Sequence, residues 1–101
     1  MTKTLKPIHP GEILRMEYMT PYGLNPHSLA MRLHVPAPTV YDIVHERRGI
    51  SPEIALRLRR CFGTTADFWL NLQTRFDLET AKDKKLRKVK QEVEPIAAAI
   101  T

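Results

Sequence analysis

Residues 26–45 read PHSLAMRLHVPAPTVYDIVH and contain two helical patterns separated by a short turn. Two helices that meet at a steep angle need a small residue where they cross, and Ala30 supplies it. The tight turn that must follow falls four residues later, at residues 34–36. Val40 and Ile43 then recur at the three-residue spacing that seats a second helix on the first. This pattern is typical of a helix-turn-helix unit, which presents the start of its second helix to the major groove of DNA. The remaining inward positions are Leu29, Leu33 and Val35.

One residue of the turn departs from the usual pattern. A turn of this kind favours glycine at the position of His34, because the φ angle there is often positive. Histidine adopts that conformation more readily than a branched residue, but at an energetic cost. The alternative to a DNA-binding unit is a helical hairpin that only packs.

Proline, glycine and capping residues divide the rest of the chain into further helices. A helix is predicted over Glu12–Thr20, and a fourth begins at Ser51 and stops at Gly63. Thr65 is expected to cap a fifth helix, in which Trp69 would anchor the core. The predicted fold is therefore all-α, with five short helices in a domain of residues 1–81.

The pattern changes after residue 81. Residues 82–101 hold six basic and three acidic residues, a net charge of +3. An apolar stripe at helical spacing predicts a short amphipathic helix, which Pro95 must end by about Glu94. The alternatives are a solvated, frayed tail and a segment that completes a dimer or binds a partner. The candidate partner-binding residues are Leu86, Val89, Val93 and Ile96.

Composition excludes several classes of protein. The 101 residues carry 16 Lys and Arg against 11 Asp and Glu, and the net charge of +5 favours a polyanionic partner. The chain shows no signal peptide or membrane-spanning run, and its single cysteine, Cys61, fits the reducing cytoplasm. We expect no enzyme, since the sequence has no glycine-rich phosphate loop and no catalytic triad spacing. We also expect no cofactor and no metal, because no two histidines pair on one helix face.

Three blocks of the sequence resemble the HigA (VapI-like) antitoxins, regulators of the Xre/Cro type. These blocks are HPGEILRMEYMTPYGLNPHSLAMRLHV at residues 9–35, RRGIS at 47–51 and FGTTADFWLNLQTRFDLE at 62–79. The resemblance implies a lambda-repressor-like helix-turn-helix domain in a cytoplasmic homodimer that binds double-stranded operator DNA of its own operon. It further implies neutralisation of a HigB-like toxin, a RelE-like ribonuclease that cleaves mRNA on the ribosome.

Two groups of residues are the candidates for DNA contact. The first lies outward along the second helix of the motif and could reach base edges by hydrogen bonds or apolar contact. The second could hold phosphates, through a helix start or through guanidinium groups. The base-edge candidates are Pro38, Thr39, Tyr41, Asp42 and His45, and the phosphate candidates are Asn25, Ser28, Arg47 and Arg48.

Some alternatives remain open at this point. Tyr41 could instead pack against a neighbouring helix, and Asp42 could repel phosphates rather than accept from a cytosine. Similar proteins often carry Arg or polar residues where this chain has Pro-Ala-Pro at residues 36–38. Base readout should then be weaker or depend more on DNA shape. The chain could also be an orphan regulator without a toxin, or a protein-interaction module that has lost DNA binding.

Overall fold

The computed structural model describes residues 6–96, and within that range it contains helices and no strand. Five helices confirm the all-α prediction. The first one is longer than its four α-helical residues suggest, because it continues as a π-helical segment and a 3₁₀ turn. The helices are α1 (Pro10–Ile13, continued by Leu14–Met19 as π-helix and Thr20–Tyr22 as 3₁₀), α2 (Pro26–Leu33), α3 (Ala37–Val44), α4 (Pro52–Phe62) and α5 (Ala66–Glu92).

Polar side chains cap four of these helices at their N-termini, where the first backbone N–H groups have no partner inside the helix. The predicted starts at residues 25, 51 and 65 are confirmed. Helix α3 is the exception, since it follows Pro36 and has no side-chain cap. The accepting atoms are His9 Nδ1, Asn25 Oδ1, Ser51 Oγ and Thr65 Oγ1.

The core lies where α1 with its continuation, α2, α3, α4 and the first half of α5 meet. Trp69 is fully buried there, as predicted, and its indole Nε1 donates a hydrogen bond to Thr64 Oγ1 at 2.7 Å. This bond satisfies the one polar group of the ring. The inward positions predicted for the two motif helices are buried, apart from the half-buried Val35. They are Leu29, Ala30, Leu33, Val40 and Ile43.

Helix α5 corrects the prediction of a separate helix after residue 81. It runs for 27 residues as one element, so residue 82 lies inside it, and it ends at Glu92 ahead of Pro95. Residues 81–92 are all exposed, and the change in sequence pattern marks the point where the helix leaves the core. Although α5 is long, neither it nor any other helix in the described range is apolar enough to span a membrane.

Candidate nucleic-acid interface

The turn between α2 and α3 has the geometry of a helix-turn-helix. His34 takes the left-handed conformation, with φ of 62°, as predicted for this position. The N–H of His34 donates to Met31 O at 3.3 Å, and that of Val35 donates to Ala30 O at 3.1 Å. These two bonds close a Schellman motif, which ends α2 and turns the chain into α3. Ala30 is only 1% exposed at the position predicted for the helix crossing.

The outward face of α3 presents the base-edge candidates to solvent. Pro38, Tyr41 and His45 are exposed, while Thr39 and Asp42 are half-buried. None of the five lies in the core, which is filled from the opposite face of the helix. The face is therefore free to approach a groove, and the assignment of these residues to base edges remains a prediction.

The Tyr41 side chain contacts two residues that follow the end of α3, His45 and Arg47. Its ring lies 4.1 Å from the ring of His45, centroid to centroid, and the guanidinium carbon of Arg47 lies 5.7 Å from the Tyr41 centroid. His45 Nδ1 lies 2.9 Å from the backbone oxygen of Tyr41, which can only accept, so Nδ1 is the donor of this bond. These contacts hold the Tyr41 side chain in place while leaving it 48% exposed.

The chain leaves α3 through a second Schellman motif. Glu46 has φ of 64°, its N–H donates to Ile43 O at 3.0 Å, and the N–H of Arg47 donates to Asp42 O at 2.8 Å. The side chains of Arg47 and Arg48 are 60% and 54% exposed just beyond this point. Both predicted phosphate-binding guanidinium groups therefore project from the end of α3 into solvent.

Asp42 sits between these two guanidinium groups. Its Oδ1 is 3.6 Å from Arg47 Nε, and its Oδ2 is 3.9 Å from Arg48 Nη2. Pairs this exposed contribute at most about 1 kcal/mol to stability. They still direct both carboxylate oxygens toward the arginines, so a bond from Asp42 to a cytosine would require at least one pair to open.

The two phosphate candidates at the start of α2 are already bonded to each other. Asn25 Oδ1 accepts from Ser28 N at 2.8 Å, and Ser28 Oγ accepts from Asn25 N at 3.0 Å, which forms a capping box. A phosphate contact through either side chain would compete with this cap. The backbone N–H of His27, in the first turn of the helix, is the group that can bind an anion without disturbing the cap.

Sequence reasoning missed the residue that holds the loop after α3. Gln73 of α5 accepts a hydrogen bond through Oε1 from the N–H of Ile50, at 2.7 Å. It lies in the block of residues 62–79, for which the sequence predicted no contact with this loop. The signal was in the sequence, because a polar residue on the helix face that carries Trp69 needs a partner. The partner itself could not be identified, since it lies 23 residues earlier.

The predicted partner-binding stripe lies at the far end of α5 and beyond it. Leu86, Val89, Val93 and Ile96 are 40%, 47%, 63% and 99% exposed. The first two are on the helix, while Val93 is extended and follows its last residue. The stripe is thus not part of the core of this chain.

Comparisons of sequence identify relatives that match most of the chain. Virulence-associated protein I of Dichelobacter nodosus is 54% identical over 78 residues, which are 77% of this chain and 72% of that protein. Antitoxin HigA-1 of Vibrio cholerae is 32% identical over 85 residues, 83% of this chain and 80% of that antitoxin. No protein-family model matches the chain.

Solved structures of antitoxins superpose closely on this chain. The structure of Pseudomonas aeruginosa antitoxin HigA with the higBA promoter superposes with a TM-score of 0.88 and 49% sequence identity. The match covers 91% of this chain and 100% of the antitoxin chain. Antitoxin GraA in complex with its operator has a TM-score of 0.87 and 45% identity, covering 97% and 99%. Since the identity to HigA-1 also extends over 80% of that antitoxin, the chain belongs to the HigA family of helix-turn-helix antitoxins.

Proposed function

We propose that this chain is a DNA-binding antitoxin that represses its own operon by binding operator DNA as a cytoplasmic homodimer. The observation that carries the proposal is the solvent-facing end of α3, where Arg47 and Arg48 project beside the outward side chains of the helix. The relatives solved with promoter or operator DNA support it. In a two-fold dimer the α3 helices would enter successive major grooves, about 34 Å apart.

Each group of candidates has a distinct task in this proposal. Arg47 and Arg48 neutralise phosphates, and the start of α2 adds a backbone amide contact. Thr39, Tyr41 and His45 reach base edges or the sugar-phosphate chain. Pro38 has no N–H and offers only apolar contact, for example with a thymine methyl group. We therefore expect much of the affinity to come from phosphates and much of the specificity to come from DNA shape.

The experiment measures operator affinity as a function of salt. Fluorescence anisotropy with the DNA upstream of the chain's own gene gives the slope of log K against log salt concentration. Replacing both Arg47 and Arg48 with Ala should reduce that slope by about 2, since each phosphate contact contributes about 0.9. The matched control replaces two other exposed cations, Lys84 and Lys85 on the far half of α5, and should leave the slope almost unchanged. Equal slopes for the arginine variant and the native chain would show that the phosphate assignment is wrong.

The proposal includes a toxin partner. We infer that the exposed stripe of Leu86, Val89, Val93 and Ile96 binds a HigB-like toxin, a RelE-like enzyme that cleaves mRNA. The support is that four apolar side chains at and beyond the end of α5 are exposed in the described part of the chain, together with the relative named as an antitoxin.

The toxin assignment is tested separately from DNA binding. Leu86→Gln with Val89→Gln keeps good helix formers on an exposed face, so the fold should not change. Co-expression with the product of a short basic reading frame next to the gene should show lost growth protection and unchanged operator binding. If protection persists, the toxin binds elsewhere on the chain. If the neighbouring product is not toxic at all, the chain is an orphan regulator.

The second candidate function is a protein-interaction module without DNA binding. The observation in its favour is that Asp42 already pairs with both arginines, which lowers the positive charge that α3 presents to DNA. Absence of any mobility shift with the upstream DNA, together with intact toxin neutralisation, would establish this reading instead.

A further inference from the structure

A side chain of α5, that of Gln73, forms a hydrogen bond with the loop between α3 and α4. Its Oε1 accepts from the N–H of Ile50 at 2.7 Å, and its Nε2 donates to Asp77 Oδ1 at 3.0 Å. A backbone N–H can only donate and a carboxylate can only accept, so these two partners fix which way the amide faces. Asp77 therefore orients the Gln73 amide so that Oε1 faces the N–H of Ile50 in the loop.

Gly49 allows the amide to lie directly against the loop backbone. A Cβ atom at Gly49 would lie 2.8 Å from the Cδ, Nε2 and Oε1 atoms of Gln73, closer than a methyl group can approach. The next residue, Ile50, is 3% exposed and anchors the end of the loop in the core. The glycine, the buried isoleucine and the glutamine thus form one junction between the loop and α5.

The part of the loop before this junction has few other supports. Glu46 occupies the left-handed region, which disfavours residues with a side chain. The pairs from Arg47 and Arg48 to Asp42, at 3.6 and 3.9 Å, are exposed and weak. The Schellman bonds fix where the loop begins, and the bond from Ile50 to Gln73 fixes where it ends.

We propose that Gln73 is a positioning residue for operator binding: by holding Ile50, it places Arg47 and Arg48 in register with the phosphates. The inference rests on the proposed DNA-binding function and extends it to a residue of α5. Gln73 touches no DNA in this scheme, and its effect passes through the loop backbone.

The experiment compares operator binding by Gln73→Met with that of the native full-length chain. Methionine has a similar volume but cannot accept the bond from Ile50. At low salt the variant should bind operator about tenfold more weakly and should show a reduced salt slope, because the two phosphate contacts are no longer held. Circular dichroism at the binding temperature establishes that each variant is folded. A purely structural role would lower the melting temperature and leave the affinity and salt slope of the folded protein unchanged, which would overturn the proposal.

A charge-matched double variant supplies the rescue. In Gln73→Glu with Asp77→Asn, the new carboxylate can accept both from Ile50 N–H and from the new amide, and the net charge of the chain is unchanged. This variant should restore operator affinity to within about twofold of the native value. It also keeps the test decisive if Gln73→Met fails to fold, because Gln73→Glu alone places two carboxylates side by side, should push residue 73 away from Ile50 and should weaken binding, whereas the double variant relieves that repulsion. Failure of the double variant to bind, although folded, would contradict the positioning role.

The arginine variants separate this inference from the proposed function. If the combined Arg47→Ala and Arg48→Ala change weakens binding but Gln73→Met does not, only the role of Gln73 is wrong. If neither change affects binding, the phosphate assignment itself fails. If the inference is right, Gln73→Met should add almost nothing to the loss in the double-arginine variant, because both changes remove the same contacts.

Discussion

Replacing Gly11 with alanine should disrupt the packing of α1 on α3. Gly11 is buried, and a Cβ atom there would overlap the backbone carbonyl oxygen of Ile43 and lie 2.8 Å from its carbon. Ile43 is inside α3 and 1% exposed, so neither backbone can move aside as a flexible side chain would. The start of α1 must therefore withdraw from α3.

The size of the effect follows from what is buried at this junction. Withdrawal by about 1 Å forfeits about half of the dispersion energy across the gap. Pro10 and Leu14 are fully buried nearby, and losing half of about 1.5–3 kcal/mol for each gives about 1.5–3 kcal/mol in total. The bond from Gly11 N–H to His9 Nδ1, at 2.9 Å, adds about 1 kcal/mol if it breaks. The better helix propensity of alanine offsets up to about 1 kcal/mol of this, which leaves a net loss of about 1.5–3 kcal/mol.

Urea and thermal denaturation followed by circular dichroism measure this loss. For a domain of this size the melting temperature should fall by about 10–20 °C. Gly23→Ala is the matched control, because a Cβ there meets nothing within 4 Å and only the φ of 66° is unfavourable. The control should lose only about 1 kcal/mol. A Gly11→Ala protein as stable as the native chain, or more stable, would refute the packing argument.

Three further predictions concern titration, charge and reactivity. Burial lowers the pKa of His9 below its ordinary value of 6.5. As the pH drops below 6.5, the unfolded chain therefore binds a proton at His9 more readily than the folded chain does, and the free energy of unfolding should fall. In His9→Asn, which still offers a cap acceptor, the free energy of unfolding should depend less on pH in this range. Asp42→Asn should strengthen binding to operator and unrelated duplex alike by about tenfold at low salt, because it frees Arg47 and Arg48 for phosphates, whereas weaker binding confined to the operator would mean that Asp42 reads a base. Burial raises the pKa of the Cys61 thiol, so iodoacetamide should alkylate the native chain more slowly than the urea-unfolded chain at the same pH, and equal rates would contradict this.

The features that sequence predicted well are those set by neighbouring residues. Asn25, Ser51 and Thr65 mark helix starts because a side-chain acceptor three residues before a free N–H is a local arrangement. The left-handed turn at His34 was foreseen for the same reason, since the crossing of two short helices dictates the backbone there. Trp69 was expected in the core because the apolar residues around it recur at helical spacing.

The sequence did not predict that α5 continues beyond residue 81. Apolar residues at helical spacing indicate which face of a helix packs on a core, and they do not indicate where the helix itself ends. No glycine or proline interrupts residues 66–92, and the helix continues although its later residues contact no core. The π-helical segment Leu14–Met19 left no local signal either. The DNA-contact and partner assignments remain predictions, because exposure shows that a side chain is available and does not show what it binds.

The sequence could not predict the contacts to the candidate site that come from residues far away along the chain. The two helices of the motif of residues 26–45 pack on each other, and two elements outside the motif add further contacts to α3 and to the loop that follows it. Gly11 brings α1 against the backbone of Ile43, and Gln73 of α5 ties down the loop that follows. Both residues lie outside the motif, and neither is proposed to touch DNA. A change at either residue should therefore alter operator binding through the placement of α3 and its arginines, even when every DNA-contacting residue is intact.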